Sequence, residues 1–283
     1  MEVARGFEWF PAPGKLNLFL HVLGRRADGM HELQTVFRLI DRADRVGVRV
    51  RGDGVIERVE PLAEIAPQDD LCLRAARLLQ SASGSPMGAD LSLEKVLPIG
   101  GGLGGGSSDA ATVLLALNRL WHTAYSRAGL MALALELGAD VPLFVFGENA
   151  IGEGIGERLT ALALPPRWYL VLVPGERVAT SSVFADNALT RNSKALKIPP
   201  FFFGLGRNDL EPLVARRHPG IAAHLDWLRA RRSEARMTGS GACVFAEFAA
   251  EGEARAVQAE LPQTMRGFVA RGLQRHPLHG CAD

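Results

Sequence analysis

The chain has 283 residues, which at roughly 150 residues per domain predicts two compact domains or one large one. Hydrophobic residues make up 47% and charged residues 22%, a balance that excludes an intrinsically disordered chain. Lysine and arginine total 32 against 31 aspartate and glutamate, so the net charge of +1 supplies no broad positive field. We therefore expect no nucleic-acid partner, and we expect ligand binding to depend on a local site.

The cysteines and the N-terminal segment indicate the compartment. Cys72, Cys243 and Cys281 lie far apart and lack the spacing of a zinc knuckle or of a secreted disulfide framework, which favours a reducing compartment. The opening sequence MEVARGFEWFPAPGK has no apolar signal-peptide core, and no apolar run approaches the ~20 residues that span a bilayer. We expect a cytoplasmic protein with no membrane partner.

Hydrophobic periodicity predicts the elements of the first half. Segments of strand-like alternation, with an antiparallel start, are residues 16–22, 33–40, 46–50 and 91–97. Asp69 and Asp70 are candidate caps for a helix that runs through residues 71–79. Residues 109–120 predict a buried helix because they are apolar on most sides, and residues 126–137 predict another, which begins after Ser126 and ends at Gly138.

The second half begins around residues 152–156 and mixes strands with helices. Its predicted elements are a strand at 168–173, a loop at 192–203, a helix at 221–231, a strand at 243–248, a helix at 251–261 and a strand at 267–273. The steady alternation of a doubly wound sheet is missing, so the pattern favours the α+β class.

The strongest chemical signal is LPIGGGLGGGSSDAA at residues 97–111, where six glycines fall within seven positions. Glycine loses much backbone entropy on folding, so such a loop indicates that something approaches the main chain closely. Ser107, Ser108 and the next amides begin a predicted helix, and a helix N-terminus attracts phosphate. A P-loop would need lysine after Gly106, and a dinucleotide fold would need an acidic residue between positions 109 and 136; the sequence has neither. A flexible loop without a ligand is the alternative.

Three further segments carry candidate chemistry. Lys15, in PAPGKLN, lies at the mouth of a strand after two prolines and could place a positive charge beside a reacting oxygen or phosphate. Asp140, in GADVP, follows a helix end and precedes a proline. In isolation a lysine or aspartate in such a place is more often solvated or part of a turn. The small residues of MTGSG at 237–241 would let a ligand or another loop reach the backbone.

Together, and in this order, these segments resemble the GHMP kinase superfamily of small-molecule kinases, from about Phe10 to His279. The resemblance implies an α+β fold in which a ribosomal-protein-S5-like N-terminal domain packs against a ferredoxin-like C-terminal domain, with the site in the cleft between them. We expect an ATP-binding domain over residues 1–155, which contains the glycine loop, and a substrate-side domain over residues 156–283.

The resemblance also implies the reaction and its residues. It implies ATP-dependent phosphorylation of a cytidyl diphosphate sugar alcohol in the non-mevalonate route to isoprenoids, with Mg²⁺ bridging the phosphates and no dedicated metal cage in the protein. Lys15 and Asp140 match the catalytic pair, in which the carboxylate takes the hydroxyl proton and the ammonium offsets charge. The positions implied for the nucleotide are Lys95, Pro98, Gly101, Gly102, Leu103, Gly104, Gly105, Gly106, Ser107 and Ser108. Those implied for the acceptor substrate are Asn17, Met30, His31, Asp140, Thr180 and Phe184.

Two positions depart from the family pattern. Met30 stands where one wall of the cytidine pocket is commonly tyrosine, which predicts weaker cytidine binding, and Asp70 stands where the family often has asparagine near the adenine. The alternatives are a homoserine-type or mevalonate-type kinase, a catalytically silent nucleotide and sugar sensor, and a decarboxylase of the same superfamily. A sensor need not retain both Lys15 and Asp140, and a decarboxylase does not explain His31.

Overall fold

The fold is described by a computed structural model that covers residues 6–60, 66–197 and 206–282. Its strands are β1 (Glu8–Arg25), β2 (His31–Arg51), β3 (Ile56–Arg58), β4 (Gly88–Glu94), β5 (Ala150–Gly154), β6 (Arg158–Ala161), β7 (Trp168–Leu172), β8 (Arg236–Met237), β9 (Val244–Phe248) and β10 (Gly267–Arg271). Its α-helices are α1 (Leu71–Ser83), α2 (Gly105–Leu120), α3 (Arg127–Leu137), α4 (Val141–Phe146), α5 (Thr180–Ala185), α6 (Glu211–Arg217), α7 (Pro219–Arg229) and α8 (Glu251–Ala259). A short 3₁₀ turn follows at His279–Cys281. The α+β prediction is confirmed.

The first sheet is built around the long hairpin of β1 and β2. β1 pairs with β2 antiparallel along its whole length, and the other edge of β2 is shared by β5 and β4. The path through the remaining strands runs β3-β4-β2-β5-β6. Apolar residues of α1 to α4 form one core with β1, β2 and β4. Residues 108–118 of α2 are all buried, as their apolar composition predicts.

The two predicted strands at 33–40 and 46–50 are one strand, β2, so the predicted break between them is wrong. The chain between the two predicted strands bulges and does not turn. The register of pairing with β1 shifts there, since Pro13 pairs with Ala43 whereas Lys15 pairs with Leu39. The strand continues because Asp44 is buried and its carboxylate accepts hydrogen bonds from two backbone amides after β4.

Two element ends beside the glycine loop also differ from the predictions. β4 ends at Glu94, so Lys95 lies beyond the strand. α2 begins at Gly105 and not at Asp109, although glycine disfavours helices. Gly104, at φ +71°, is the N-cap of α2, a left-handed conformation in which glycine carries no steric penalty.

The second sheet is antiparallel with the order β10-β7-β9-β8. Helices α6 and α7 connect β7 to β8, and α8 connects β9 to β10, which is the βαββαβ arrangement of the predicted ferredoxin-like domain. Apolar residues of β1 and β2 pack against β7, β9 and β10, so β1 is buried on both faces. The first sheet therefore meets the second directly.

The predicted elements of the second half are found with ends shifted by one or two residues, while the short helices α4, α5 and α6 were not predicted. The predicted loop over 192–203 contains no helix or strand as far as residue 197, and its remainder lies outside the described residues. β6 pairs with β5 in the first sheet, and Leu278 and Ala282 join the first core. The boundary at residue 155 stays a prediction. None of the described helices is both long and apolar enough to cross a membrane.

Candidate active site

A cavity of about 1120 Å³ is lined by both halves of the chain. Its walls come from β1, β2, the glycine loop, the start of α1, the residue before α4, α5 and the Gly239–Gly241 segment. Every residue predicted for the site lines this cavity except Ser108, which is fully buried in the first turn of α2. The structure thus brings the predicted nucleotide and acceptor residues into one space.

Lys15 and Asp140, which are 125 positions apart in the sequence, meet in this cavity. The Lys15 Nζ lies 3.4 Å from the Asp140 Oδ2, and their side chains are 4% and 39% exposed. Lys15 projects from β1, and Asp140 is the residue before α4, where Pro142 favours the first helical turn. A buried ammonium is therefore held beside a carboxylate that solvent and ligands can reach.

Polar neighbours fix the Lys15 ammonium. Its Nζ donates to the Asn17 Oδ1 at 2.6 Å, and the Asn17 Nδ2 donates to the Thr35 Oγ1 at 2.9 Å. The Asn17 backbone amide donates to the Thr238 Oγ1 at 2.9 Å. Sequence reasoning missed Thr35 and the role of Thr238, because each acts through a partner distant in the chain. The chain of hydrogen bonds orients Lys15 without a ligand.

The glycine loop packs tightly against the segment 238–243. The Cys243 amide donates to the Gly101 carbonyl at 3.0 Å, and the Lys15 amide donates to the Leu103 carbonyl at 2.9 Å. A Cβ on Gly102, at φ +77°, would lie 2.2 Å from the Thr238 carbonyl oxygen. A Cβ on Gly104 would lie 2.9 Å from the Phe144 ring. Glycine is therefore required at positions 102 and 104 by the packing of the protein itself. The MTGSG segment is a loop that lies against the glycine loop.

The start of α2 carries no side-chain cap. Gly104 makes no capping hydrogen bond, so the first amides of the helix have no side-chain acceptor within the described chain. Gly105, Gly106 and Ser107 line the cavity at this end. Amides at a helix N-terminus attract phosphate oxygens, and the local geometry suits that ligand.

Lys95 is held by two buried carboxylates that sequence reasoning missed. Its Nζ donates to the Asp44 Oδ2 at 2.5 Å and to the Asp109 Oδ2 at 2.8 Å. Burial alone would lower the pKa of Lys95, but the neighbouring carboxylates outweigh it and raise that pKa. Burial also raises the pKa of Asp109 to about 7, against the opposing effect of Lys95. Lys95 therefore stays charged at the cavity wall.

Asp70 is engaged within the protein. Its Oδ1 accepts hydrogen bonds from the Cys72 and Leu73 amides and caps α1, and it pairs with the buried guanidinium of Arg58. Burial alone would raise the pKa of Asp70, but Arg58 outweighs it and lowers that pKa. Asp70, and not Asp69, is therefore the cap of α1. The negative charge that Asp70 carries where the family often has asparagine is paired with the Arg58 guanidinium.

The opposite end of the cavity is aromatic and polar. The rings of His31 and Phe184 lie 5.0 Å apart between centroids at an angle of 35°. Met30 lines the same space and is 47% exposed. The Thr180 Oγ1 lies 2.6 Å from the Ser240 Oγ, which joins α5 to the MTGSG loop. Arg191, which sequence reasoning missed, donates from its Nε to the His31 Nε2 at 2.9 Å.

Comparison with family models gives two matches. The model of the GHMP kinases N terminal domain matches residues 70–148, which contain the glycine loop and Asp140. The model of the GHMP kinases C terminal region matches residues 200–267, which contain MTGSG. The two models together match about half of the chain, on either side of the cavity.

Whole-chain comparisons give similar proteins of one name. The chain is 59% identical over 275 residues to the 4-diphosphocytidyl-2-C-methyl-D-erythritol kinase of Nitrosospira multiformis, covering 96% of this chain and 94% of that protein. It is 60% identical over 270 residues to the protein of the same name from Thiobacillus denitrificans, covering 95% and 97%.

The fold is similar to solved structures. A crystal structure of 4-(cytidine 5'-diphospho)-2C-methyl-D-erythritol kinase superposes with a TM-score of 0.80 at 36% identity and covers 94% of this chain and 99% of that one. Homoserine kinase from Cytophaga hutchinsonii superposes with a TM-score of 0.73 at 14% identity, covering 98% and 97%. The second likeness shows the fold alone.

Proposed function

This chain belongs to the 4-diphosphocytidyl-2-C-methyl-D-erythritol kinase family of GHMP kinases, and we propose that it phosphorylates the 2-hydroxyl of 4-diphosphocytidyl-2-C-methyl-D-erythritol at the expense of ATP, in the non-mevalonate route to isoprenoid precursors. The observation that carries the proposal is the Lys15–Asp140 pair, 3.4 Å apart in the cavity that also contains the glycine loop. A small-molecule kinase needs a base and a phosphate cradle in one space.

Asp140 acts as the base for the acceptor hydroxyl. As the hydroxyl oxygen forms its bond to the γ-phosphorus, the bond from that phosphorus to the oxygen of ADP breaks and the hydroxyl proton passes to the Asp140 carboxylate. Lys15 supports this step because its ammonium, fixed by Asn17, stabilises negative charge on the attacking oxygen and the transferring phosphoryl group. General-base catalysis commonly contributes ~10²–10⁴-fold, so orientation of the two substrates supplies much of the remaining acceleration.

The glycine loop and the start of α2 hold the phosphates of ATP. Residues 101–107 line the cavity, and the uncapped amides of α2 offer hydrogen bonds to phosphate oxygens. Lys95, anchored by Asp44 and Asp109, lies at the nucleotide side of this space. Ser108 acts through the buried first turn of α2 and not through contact with ATP.

The cavity lining fits a Mg²⁺ ion that would be bound mainly by ATP and water, since Mg²⁺ in such sites needs few oxygen donors from the protein. Within the described residues no group of three or more His, Cys, Asp or Glu side chains could hold a metal, whereas the Ser107 hydroxyl and the Asp140 carboxylate both line the cavity. Ser107 is the side chain that would contact the ion, because Asp140 serves as the base for the acceptor hydroxyl. When bound, Mg²⁺ neutralises charge on the phosphate oxygens.

The acceptor substrate binds at the aromatic end of the cavity. Its cytosine ring lies against Phe184 and beside His31, with Met30 as the opposite wall. Thr180 and Asn17 contact the polar part of the substrate toward Lys15. A methionine thioether packs on an aromatic face at a gain of roughly 0.3–1.5 kcal/mol, so cytidine is still bound by this wall.

An ADP-release assay with the purified full chain tests the proposed function. The four acceptors are 4-diphosphocytidyl-2-C-methyl-D-erythritol, homoserine, mevalonate and galactose, each with ATP and Mg²⁺, and a reaction without acceptor measures background ATP hydrolysis. We expect ADP release above background only with the cytidyl substrate, together with a product heavier by one phosphoryl group in mass spectrometry. Release above background with homoserine, mevalonate or galactose but not with the cytidyl substrate would refute the proposal, and so would release that stays at background with every acceptor.

A further inference from the structure

Arg191 joins the two walls of the aromatic end of the cavity. It lies in the segment after α5, and its Nε donates to the His31 Nε2 at 2.9 Å. Its guanidinium also donates to the Phe184 carbonyl at 2.9 Å and to the Asp186 carbonyl at 2.6 Å. A fourth hydrogen bond, to the Leu189 carbonyl, measures 3.2 Å. One side chain therefore fixes both the His31 ring and the backbone that carries Phe184.

The hydrogen bond from Arg191 determines the tautomer of His31. A guanidinium has only donors, so the His31 Nε2 that receives its hydrogen bond carries no proton. In the neutral imidazole the proton then belongs to Nδ1. That nitrogen makes no hydrogen bond within the described part of the chain, and His31 lines the cavity, so an Nδ1–H donor is left for a ligand.

The surrounding charges keep the ring neutral. Burial lowers the pKa of His31, and the positive charges of Arg191 and Arg25 lower it further. Arg25, on β1, lies opposite His31 in the β1–β2 strand register, and Arg191 faces His31 from the segment after α5. The nearby Asp186 carboxylate is engaged by Arg217, and the adjacent Glu32 by Arg158. No described carboxylate forms an ion pair with His31 that would favour its protonation.

We propose that Arg191 is a positioning and specificity residue that holds His31 as the Nδ1–H tautomer, so that the cavity accepts cytosine and rejects uracil. The N3 of cytosine is an acceptor and pairs with the Nδ1–H donor, whereas the N3 of uracil carries a hydrogen and opposes it. Discrimination of this kind is strong because a mismatched polar group is left unpaired in a partly buried site. The inference rests on the proposed function, since it concerns the cytidyl end of the same substrate.

Steady-state kinetics of Arg191→Met and Arg191→Lys provide the first test. For Arg191→Met we expect the KM for the cytidyl substrate to rise about tenfold, the size of one lost hydrogen bond, while the KM for ATP stays unchanged. We expect wild type to bind CMP more tightly than UMP, and we expect Arg191→Met to lose this preference while Arg191→Lys retains it. Arg217→Gln is the matched control, because Arg217 contacts Asp186 but not His31, and it should keep the wild-type preference. An unchanged CMP preference in Arg191→Met would overturn the proposal.

Nitrogen-15 NMR of the ligand-free full chain provides a second test that needs no activity. The His31 ring signals are identified among those of the 7 histidines by their loss in His31→Gln. We expect the wild-type ring to show a protonated Nδ1 and an unprotonated Nε2 at neutral pH, and the Lys variant to show the same. A wild-type Nε2–H tautomer would overturn the proposal even if Arg191→Met does not fold. Absence of activity toward the cytidyl substrate would instead refute the proposed function and leave the tautomer measurement standing.

Discussion

Substitution of Gly102 by alanine should destabilise the chain in two separate ways. Gly102 has φ +77°, a left-handed conformation that costs a residue with a Cβ roughly 1–2 kcal/mol. The new Cβ would also lie 2.2 Å from the Thr238 carbonyl oxygen and 3.0 Å from that of Gly241. Both are backbone atoms that cannot rotate away, and overpacking of this kind costs about 1–3 kcal/mol. We therefore expect Gly102→Ala to lower the free energy of unfolding by about 2–5 kcal/mol.

Gly84→Ala is the matched control for the backbone strain alone. Gly84 ends α1 at φ +66°, and a Cβ there would meet nothing within 4 Å. Its cost should be about 1–2 kcal/mol, with kinetic constants like those of wild type, because Gly84 does not line the cavity. Urea denaturation measures both free energies of unfolding, and the difference between the variants isolates the clash with Thr238.

The kinetics of Gly102→Ala then test what the packing does for the reaction. Displacement of the glycine loop by about 1 Å should misplace the phosphates and lower the kcat/KM for ATP on the order of 10²-fold. Equal losses of stability in Gly102→Ala and Gly84→Ala would refute the inferred contact with Thr238. A wild-type kcat/KM for ATP in Gly102→Ala would refute the role of that contact in positioning the nucleotide.

Two further variants probe the other ends of the cavity. Met30→Tyr should lower the KM for the cytidyl substrate about two- to tenfold, because an aromatic wall stacks better on cytosine than a thioether does. An unchanged or higher KM in steady-state assays would show that Met30 is not a wall of that pocket. Burial raises the pKa of Asp109 to about 7 from its ordinary value near 3.8. Between these two pH values the folded state therefore holds a proton that the unfolded state has released. The contribution of Asp109 to stability is consequently lost as pH rises from about 4 through 7. Asp109→Asn should remove this pH dependence from urea denaturation curves, and an unaltered pH profile would contradict the assignment.

Local periodicity predicted much of the fold because most elements bury one apolar stripe or face. In α3 the buried residues Leu130, Ala134 and Leu137 form such a stripe, and Ser126 caps the helix and Gly138 ends it, as their positions predict. The helices α4 and α5 have 6 residues each and α6 has 7, which is too short for a helical period to be visible. Asp140 therefore resembled a turn residue, and only the family resemblance indicated its chemistry.

Contacts between distant residues account for most of what the sequence did not predict. Asp44 lies between the two strands predicted at 33–40 and 46–50, and its carboxylate is satisfied by Lys95, which is 51 positions away. Arg191 and His31 are separated by 160 positions. Neither partner carries a local signal, because an arginine or aspartate alone is more often solvated than buried. Only the folded chain shows that these residues meet, and that Lys95 and His31 line one cavity.

Phosphoryl transfer by Asp140→Asn tests the chemistry of the Lys15–Asp140 pair most directly. Asparagine has nearly the same shape but cannot take a proton, and Lys15 keeps its hydrogen bond to Asn17. Single-turnover transfer to the cytidyl substrate should fall by about 10²–10⁴-fold, while the Kd for ATP from calorimetry changes by less than about threefold. Transfer at near the wild-type rate with normal ATP binding would contradict the role of Asp140 as the base.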